Sequence, residues 1–210
     1  MSDQLMTTHL VIMTKFPEPG KVKTRLAAAI GDKRACQLHA AMVQHLSDNT
    51  LPELTGVSVS FHVAGGADDD VTSWLSDGTW QRQIDGDLGD KMQHALQASF
   101  DAGAEKVLII GTDAPAITSC HIDSVISALD DSDVAFVPAT DGGYVMAGMK
   151  RLHIEMLEGI EWSTDEVLRV SVSNLESKGC SVTILDPLND VDLFEDLTHA
   201  SDALGGLPWE

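Results

Sequence analysis

Apolar and polar positions along this chain switch repeatedly between a strand period and a helix period. Leu10–Met13 is a continuous apolar run, the pattern of a strand covered on both faces. From Asp32 to about His45, Ala35, Leu38, Met42 and Leu46 recur every three or four residues, which predicts a helix. Val57–Val63 alternates as a half-buried strand would, and Gly65-Gly66 ends it. Asp68–Ser76 reads as a short helix or turn and Trp80–Ile84 as a strand. Asp87 is placed to cap a helix to Ala102, with Leu88, Met92, Leu96 and Phe100 every fourth residue and Gly103 as its stop. Lys106–Ile110 is the clearest strand, and Thr118 or Ser119 caps a helix to Leu129. Val134–Val137 and Tyr144–Met149 are apolar strands, Thr164–Lys178 a helix, Val182–Leu185 the last strand and Asp192–Leu204 a last helix. The alternation predicts an α/β fold: a mostly parallel central sheet with helices on both faces, a single domain over 1–204 and a loose tail over 205–210.

Composition narrows the function classes. With 33 acidic against 13 Lys and Arg residues the formal net charge is −20, which argues against nucleic acid or an anionic membrane as partner. Cys36, Cys120 and Cys180 have neither CxxC nor Cys/His ligand spacing, so reduced thiols and a cytoplasmic protein are expected. No apolar run reaches the roughly 18 residues of a membrane span.

Against this acidity, Lys15, Lys21, Lys23, Arg25, Lys33 and Arg34 gather six of the thirteen basic residues into one short segment. Pro17, Pro19 and Gly20 fix the turn that carries the first of them, and Thr24 adds a hydroxyl. A fixed cationic turn between a strand and a helix is most simply an anion site, helped by backbone N–H groups. It is not a phosphate loop of the G-x-x-x-x-G-K-[ST] type, because Val22 follows Gly20-Lys21 and the earlier glycine is missing.

In parallel sheets ligands bind beyond the carboxyl ends of strands, and the remaining candidate loops all leave such ends. In Gly111-Thr112-Asp113-Ala114-Pro115 the glycine admits a ligand to the backbone, and Asp113 either binds a divalent cation or caps the next turn. Asp141-Gly142-Gly143-Tyr144 is either a hairpin turn or an acceptor site in which Asp141 takes hydrogen bonds from hydroxyls. Trp162, Ser163 and Thr164 either line an acceptor pocket or supply core and an N-cap. Asp192, in Asp190-Val191-Asp192, is an N-cap or a second carboxylate for the Asp113 cation; Asp85-Gly86-Asp87 reads first as a cap. No G-x-S-x-G turn or paired-histidine metal motif is present, and His39, His45 and His94 read as surface or packing residues. What remains is electrostatic catalysis, with Asp113 and Asp141 as the candidate catalytic residues.

Phe16–Leu26, Gly111–Pro115, Asp141–Tyr144, Trp162–Thr164 and Asp190–Asp192 occur in the order found in the DUF2064 family, and the chain resembles that family over about residues 9 to 200. The family belongs to the glycosyltransferase-A-like, nucleotide-diphospho-sugar transferase superfamily. The resemblance implies a Rossmann-like three-layer sandwich and a nucleotide or nucleotide-sugar donor with a small-molecule acceptor. It implies that Lys15, Lys23 and Arg25 contact phosphates, and that Asp113 holds Mg²⁺ or Mn²⁺ with Asp192 as second ligand. Gly111 stands where the first carboxylate of a glycosyltransferase D-x-D pair would be, and Asp192 is followed by Leu-Phe where Thr-Pro is frequent. The expected activity is metal-dependent glycosyl transfer from a nucleoside diphosphate sugar. The alternatives are nucleotidyl transfer from an NTP to a phosphorylated acceptor, releasing pyrophosphate, and a non-catalytic nucleotide-sugar binding protein.

Overall fold

Two apolar strands form the centre of the molecule: β1 (Thr8–Lys15) and β4 (Lys106–Gly111) run parallel, Leu10 beside Leu108 and Ile12 beside Ile110. A computed structural model describes residues 7–75 and 78–210, so the expected helix end at Ser76 and the first six residues lie outside the described part. The other strands are β2 (Val57–Ala64), β3 (Trp80–Arg82), β5 (Val134–Pro138), β6 (Tyr144–Met149) and β7 (Val182–Ile184). They form a seven-stranded sheet in the order β3-β2-β1-β4-β6-β5-β7. Only β6 runs against its neighbours, β4 and β5. The expected mostly parallel α/β sheet is present.

Both faces are covered, which is why β1 and β4 are apolar without alternation. Leu10, Ile12, Leu108 and Ile110 pack with Val43 of α2 (Asp32–His45), Val71 of α3 (Asp68–Trp74) and Ile122 of α5 (Ser119–Asp131). On the other face Val11, Val107 and Ile109 pack with Met92 and Leu96 of α4 (Leu88–Asp101) and Leu175 of α6 (Val167–Ser177). Asp87 caps α4 as expected, Oδ1 accepting from the Asp90 N–H at 2.9 Å while Asp90 returns the bond at 3.1 Å. Among the described residues no helix is long and apolar enough to cross a membrane.

Three expectations are corrected. Helix α6 begins at Val167, not Thr164: Ser163 has φ +67°, and the Thr164 hydroxyl donates to the Glu161 carbonyl at 2.8 Å, so the pair closes a turn and caps nothing. The last helix, α7 (Leu197–Leu204), starts five residues after Asp192. The Asp196 carboxylate takes the Asp192 and Leu193 N–H groups at 2.9 and 2.7 Å, leaving the Asp192 side chain free for another role. The tail is not loose: Leu207 and Trp209 pack on a small cluster of Leu26 from α1 (Thr24–Ile30), Leu38 and Met42 from α2, Val191 and Ala200. The Arg34 guanidinium lies 5.7 Å from the Trp209 ring centre.

Candidate functional site

A cleft of about 600 Å³ opens over the carboxyl ends of β1 and β4, the place such sheets offer a ligand. Buried contacts fasten its floor. The Thr14 and Thr112 hydroxyls meet at 3.1 Å, joining the end of β1 to the loop after β4. The Val191 N–H donates to the Asp113 carbonyl at 2.8 Å, bringing the segment after β7 to the same loop. These two ties bring together residues 98 and 78 positions apart in the chain.

Lys23 is at the centre of the charged wall. Its ammonium reaches Asp113 Oδ1 at 2.5 Å, the Val191 carbonyl at 2.5 Å and Asp192 Oδ1 at 3.2 Å, and its side chain is 3% exposed. Burial works to lower its pKa, but Asp113 and then Asp192 outweigh that and hold it above the ordinary lysine value. Asp113 is the mirror case: desolvation works to raise its pKa, and the Lys23 ammonium, helped by His39 and Lys15, brings it below the ordinary carboxylate value. Arg25 Nη1 stands 3.7 Å from Asp192 Oδ2 with most of its side chain exposed. Arg25 and Asp113 therefore share one wall. Lys15 and Thr24 line the same cleft, as do Gly111 and Thr112.

The cleft lining is also acidic and aromatic. Asp141 leaves the β5–β6 hairpin, Oδ1 held by the Gly143 N–H at 2.9 Å, so Oδ2 remains for a ligand. The two bordering loops are clasped: Thr140 Oγ1 donates to Asn189 Oδ1 at 3.1 Å, and the Leu188 N–H to the Pro138 carbonyl at 2.9 Å. This holds Asp190 beside Asp141, and burial followed by the Asp141 charge pushes the Asp190 pKa up to about 6. Gly143, Tyr144, Trp162, Ser163 and Thr164 line the cleft as well. Trp162 lies against the first turn of α4, where a Cβ on Gly89 would come within 3.2 Å of its ring.

Pro19, Gly20 and Gly142 do not line the cleft. Gly20, with φ +79°, shapes the outer bend, where Lys21 N–H closes onto the Glu18 carbonyl at 3.0 Å. Gly142 makes a close backbone approach to Asp165 of its own chain. Asp85 and Asp87 also stay outside, the latter as a cap. Sequence reasoning missed His39, Gln83, Lys91 and the independent place of Asp190 in the wall. His39 is buried, and since a carbonyl only accepts, its Nε2–H donates to the Lys15 carbonyl at 2.8 Å. Its inward position was readable from the spacing to Ala35 and Met42. Gln83 Nε2 donates to the Thr14 and His62 carbonyls at 3.0 and 2.8 Å, and no sequence pattern marks it.

No protein of curated function matches this chain in sequence. Among solved structures, that of a "putative nucleotide-diphospho-sugar transferase" from Desulfovibrio desulfuricans G20 superposes with a TM-score of 0.84 at 27% identity, covering 95% of this chain and 97% of that one. The 4-diphosphocytidyl-2C-methyl-D-erythritol synthase of Anaerococcus prevotii DSM 20548 follows the same fold, with a TM-score of 0.61 at 14% identity over 95% and 96% of the chains. So does a CMP:2-keto-3-deoxy-manno-octonic acid synthetase complexed with CTP, with a TM-score of 0.57 at 11% identity over 95% and 98%. Residues 48–164, more than half of the chain, match the family described as "Uncharacterized protein conserved in bacteria (DUF2064)", and the chain belongs to that family.

Proposed function

We propose that the protein is a metal-dependent transferase that moves a glycosyl group from a nucleoside diphosphate sugar to a hydroxyl of a small-molecule acceptor. The observation that carries this reading is that one cleft gathers exposed cations and several carboxylates: Lys15 and Arg25 stand exposed in the lining that Asp113 and Asp192 share, and Asp141 and Asp190 line the same cleft. The cations suit a diphosphate. Asp141 and Asp190 would repel a phosphorylated acceptor and favour hydroxyl donors, which supports glycosyl over nucleotidyl transfer. The solved structure from Desulfovibrio desulfuricans G20, described as a "putative nucleotide-diphospho-sugar transferase", is in keeping with that choice.

Among the described residues no group of three or more His, Cys, Asp or Glu side chains is arranged to hold a metal by itself. Two converging carboxylates nevertheless fit a hard divalent cation that completes its shell with phosphate oxygens and water, as Mg²⁺ and Mn²⁺ do. Asp113 and Asp192 would hold that ion, which would supply positive charge to the departing diphosphate. Lys15 and Arg25 bind and orient the same phosphates. Asp141, aligned by the Gly143 N–H, takes the acceptor's hydroxyl proton as that oxygen bonds to the sugar's anomeric carbon and the bond to the diphosphate breaks.

The test is a thermal-shift screen of nucleoside diphosphate sugars and NTPs with Mn²⁺, followed by product analysis of any hit. Stabilisation by a nucleotide sugar and release of the nucleoside diphosphate support the proposal. Pyrophosphate release would assign nucleotidyl transfer instead, and binding without turnover would make the protein a binder.

A further inference from the structure

Lys23 is the most heavily bonded cation of the cleft and also the least accessible. Three oxygens from two loops converge on its ammonium, at 2.5 Å from Asp113, 2.5 Å from the Val191 carbonyl and 3.2 Å from Asp192. The backbone is committed to the arrangement, since Lys23 is one of two non-glycine residues with positive φ among those described, at φ 48° and ψ 45°. Such a conformation persists where the surroundings over-determine it. By contrast, Arg25 and Lys15 reach the cleft with their charges exposed.

We infer that Lys23 is a stand-in cation: its ammonium fills the place between Asp113 and Asp192 that a divalent ion would take, so the ion binds more weakly alone than with a polyphosphate. The inference rests on the proposed reading of those two aspartates as the ion's ligands. Its chemistry is competition for one set of oxygens. A bare divalent ion must displace an ammonium that is already paired and then leave its charge buried with no carboxylate, only the Val191 carbonyl, to offset it, which is costly. When a diphosphate arrives with the ion, its oxygens accept the displaced ammonium across the cleft, and no charge is stranded. Lys23 is thus a positioning residue that selects the ion–polyphosphate complex over the bare ion.

The experiment titrates Mn²⁺ alone into the full chain by calorimetry, comparing the wild-type protein with Lys23→Met and Lys23→Arg, each checked for folding by circular dichroism. Methionine keeps most of the stem without the charge, so Lys23→Met binds Mn²⁺ about tenfold or more tightly than wild type, whereas Lys23→Arg stays within about threefold of it. If Lys23→Met does not fold, Lys23→Gln is read in its place by the same criterion. Adding Asp113→Asn to the uncharged variant removes the gained affinity; a gain that survives puts the ion elsewhere and overturns the inference. Equal Mn²⁺ affinity in wild type and the uncharged variant also overturns it, and if Mn²⁺ with a nucleoside diphosphate still binds wild type, the proposed function stands without it. Failure of Mn²⁺, with or without nucleoside diphosphate, to bind any of the proteins overturns both.

Discussion

Gly142 and Asp165 touch backbone to backbone: a Cβ on residue 142 would lie 2.5 Å from the Asp165 Cα and closer still to its carbonyl oxygen. Gly142 also has φ +96°, and its carbonyl accepts the Leu168 N–H at 3.0 Å, so the β5–β6 turn is the seat on which α6 starts. Gly142→Ala therefore combines a left-handed backbone penalty with a clash that no rotamer relieves. It destabilises by about 3 kcal/mol or more in urea unfolding. Gly103 is the control, with φ +95° and nothing within 4 Å of an added Cβ. Gly103→Ala costs only about 1 kcal/mol. Equal losses in the two variants would show that Asp165 is not the obstacle.

That contact also shows where sequence reading stops. The apolar run of β4 and the four-residue spacing in α4 were legible because burial imposes a period on neighbours in the chain. The loops that carry Asp113, Asp141 and Asp192 were legible because strand ends and glycines mark them. Partners were not legible. Nothing near Lys23 in sequence says that its ammonium is spent on Asp113, 90 positions away, and nothing beside Gly142 announces Asp165. Asp192 shows the same blindness: before a helix an aspartate reads as a cap, and only the tertiary fold shows Asp196 doing the capping while Asp192 turns to Lys23. Gln83 joins the cleft through backbone carbonyls, which carry no sequence signal.

Among the described residues, the buried Tyr144 hydroxyl makes no hydrogen bond of normal geometry, and burial holds its pKa above the ordinary tyrosine value, with the nearby Ser171 hydroxyl acting weakly the other way. Its ring packs 5.0 Å from that of Phe136, and the Ser171 hydroxyl donates to the Met156 carbonyl at 2.8 Å. Phenylalanine keeps the packing and removes the stranded group. Tyr144→Phe accordingly raises stability by about 1 kcal/mol in urea unfolding, since an unpaired buried hydroxyl costs on that order. A loss of similar size would mean that the hydroxyl has a partner in solution.

Stability falls on mild acidification. His62, buried on β2, has its pKa lowered to about 4 by burial, with His9 and His94 adding repulsion. The unfolded chain protonates this ring near 6.5 and the folded chain only near 4, so the contribution of His62 is complete above about pH 6.5 and is lost as pH falls toward 4. By pH 4.5 about 2 kcal/mol of it is gone. His9, His39 and His153 shift in the same direction, while Asp190, raised to about 6, opposes them by gaining its proton first in the folded state. Urea unfolding at pH 7 and pH 4.5 measures the drop, and His62→Asn reduces it by the His62 share. A variant whose drop equals that of wild type would relieve His62 of this role.

The seated tail ties remote packing to the cleft. Leu207 and Trp209 cover a cluster whose buried members include Leu26, next to Arg25, and Val191, next to Asp192. Arg25 and Asp192 are themselves 3.7 Å apart at the cleft wall, so the cluster is the apolar clamp behind that ion pair. Deleting residues 207–210 exposes its apolar surface and costs about 2 kcal/mol. The same deletion frees Arg25 from Asp192 and weakens nucleoside diphosphate binding about threefold, whereas Trp209→Phe, which keeps an aromatic cover, changes it little. Calorimetry on the two variants decides the matter: a stability loss with unchanged nucleotide affinity would confine the clamp to packing, and loss of both would make the tail part of how the cleft is held in shape.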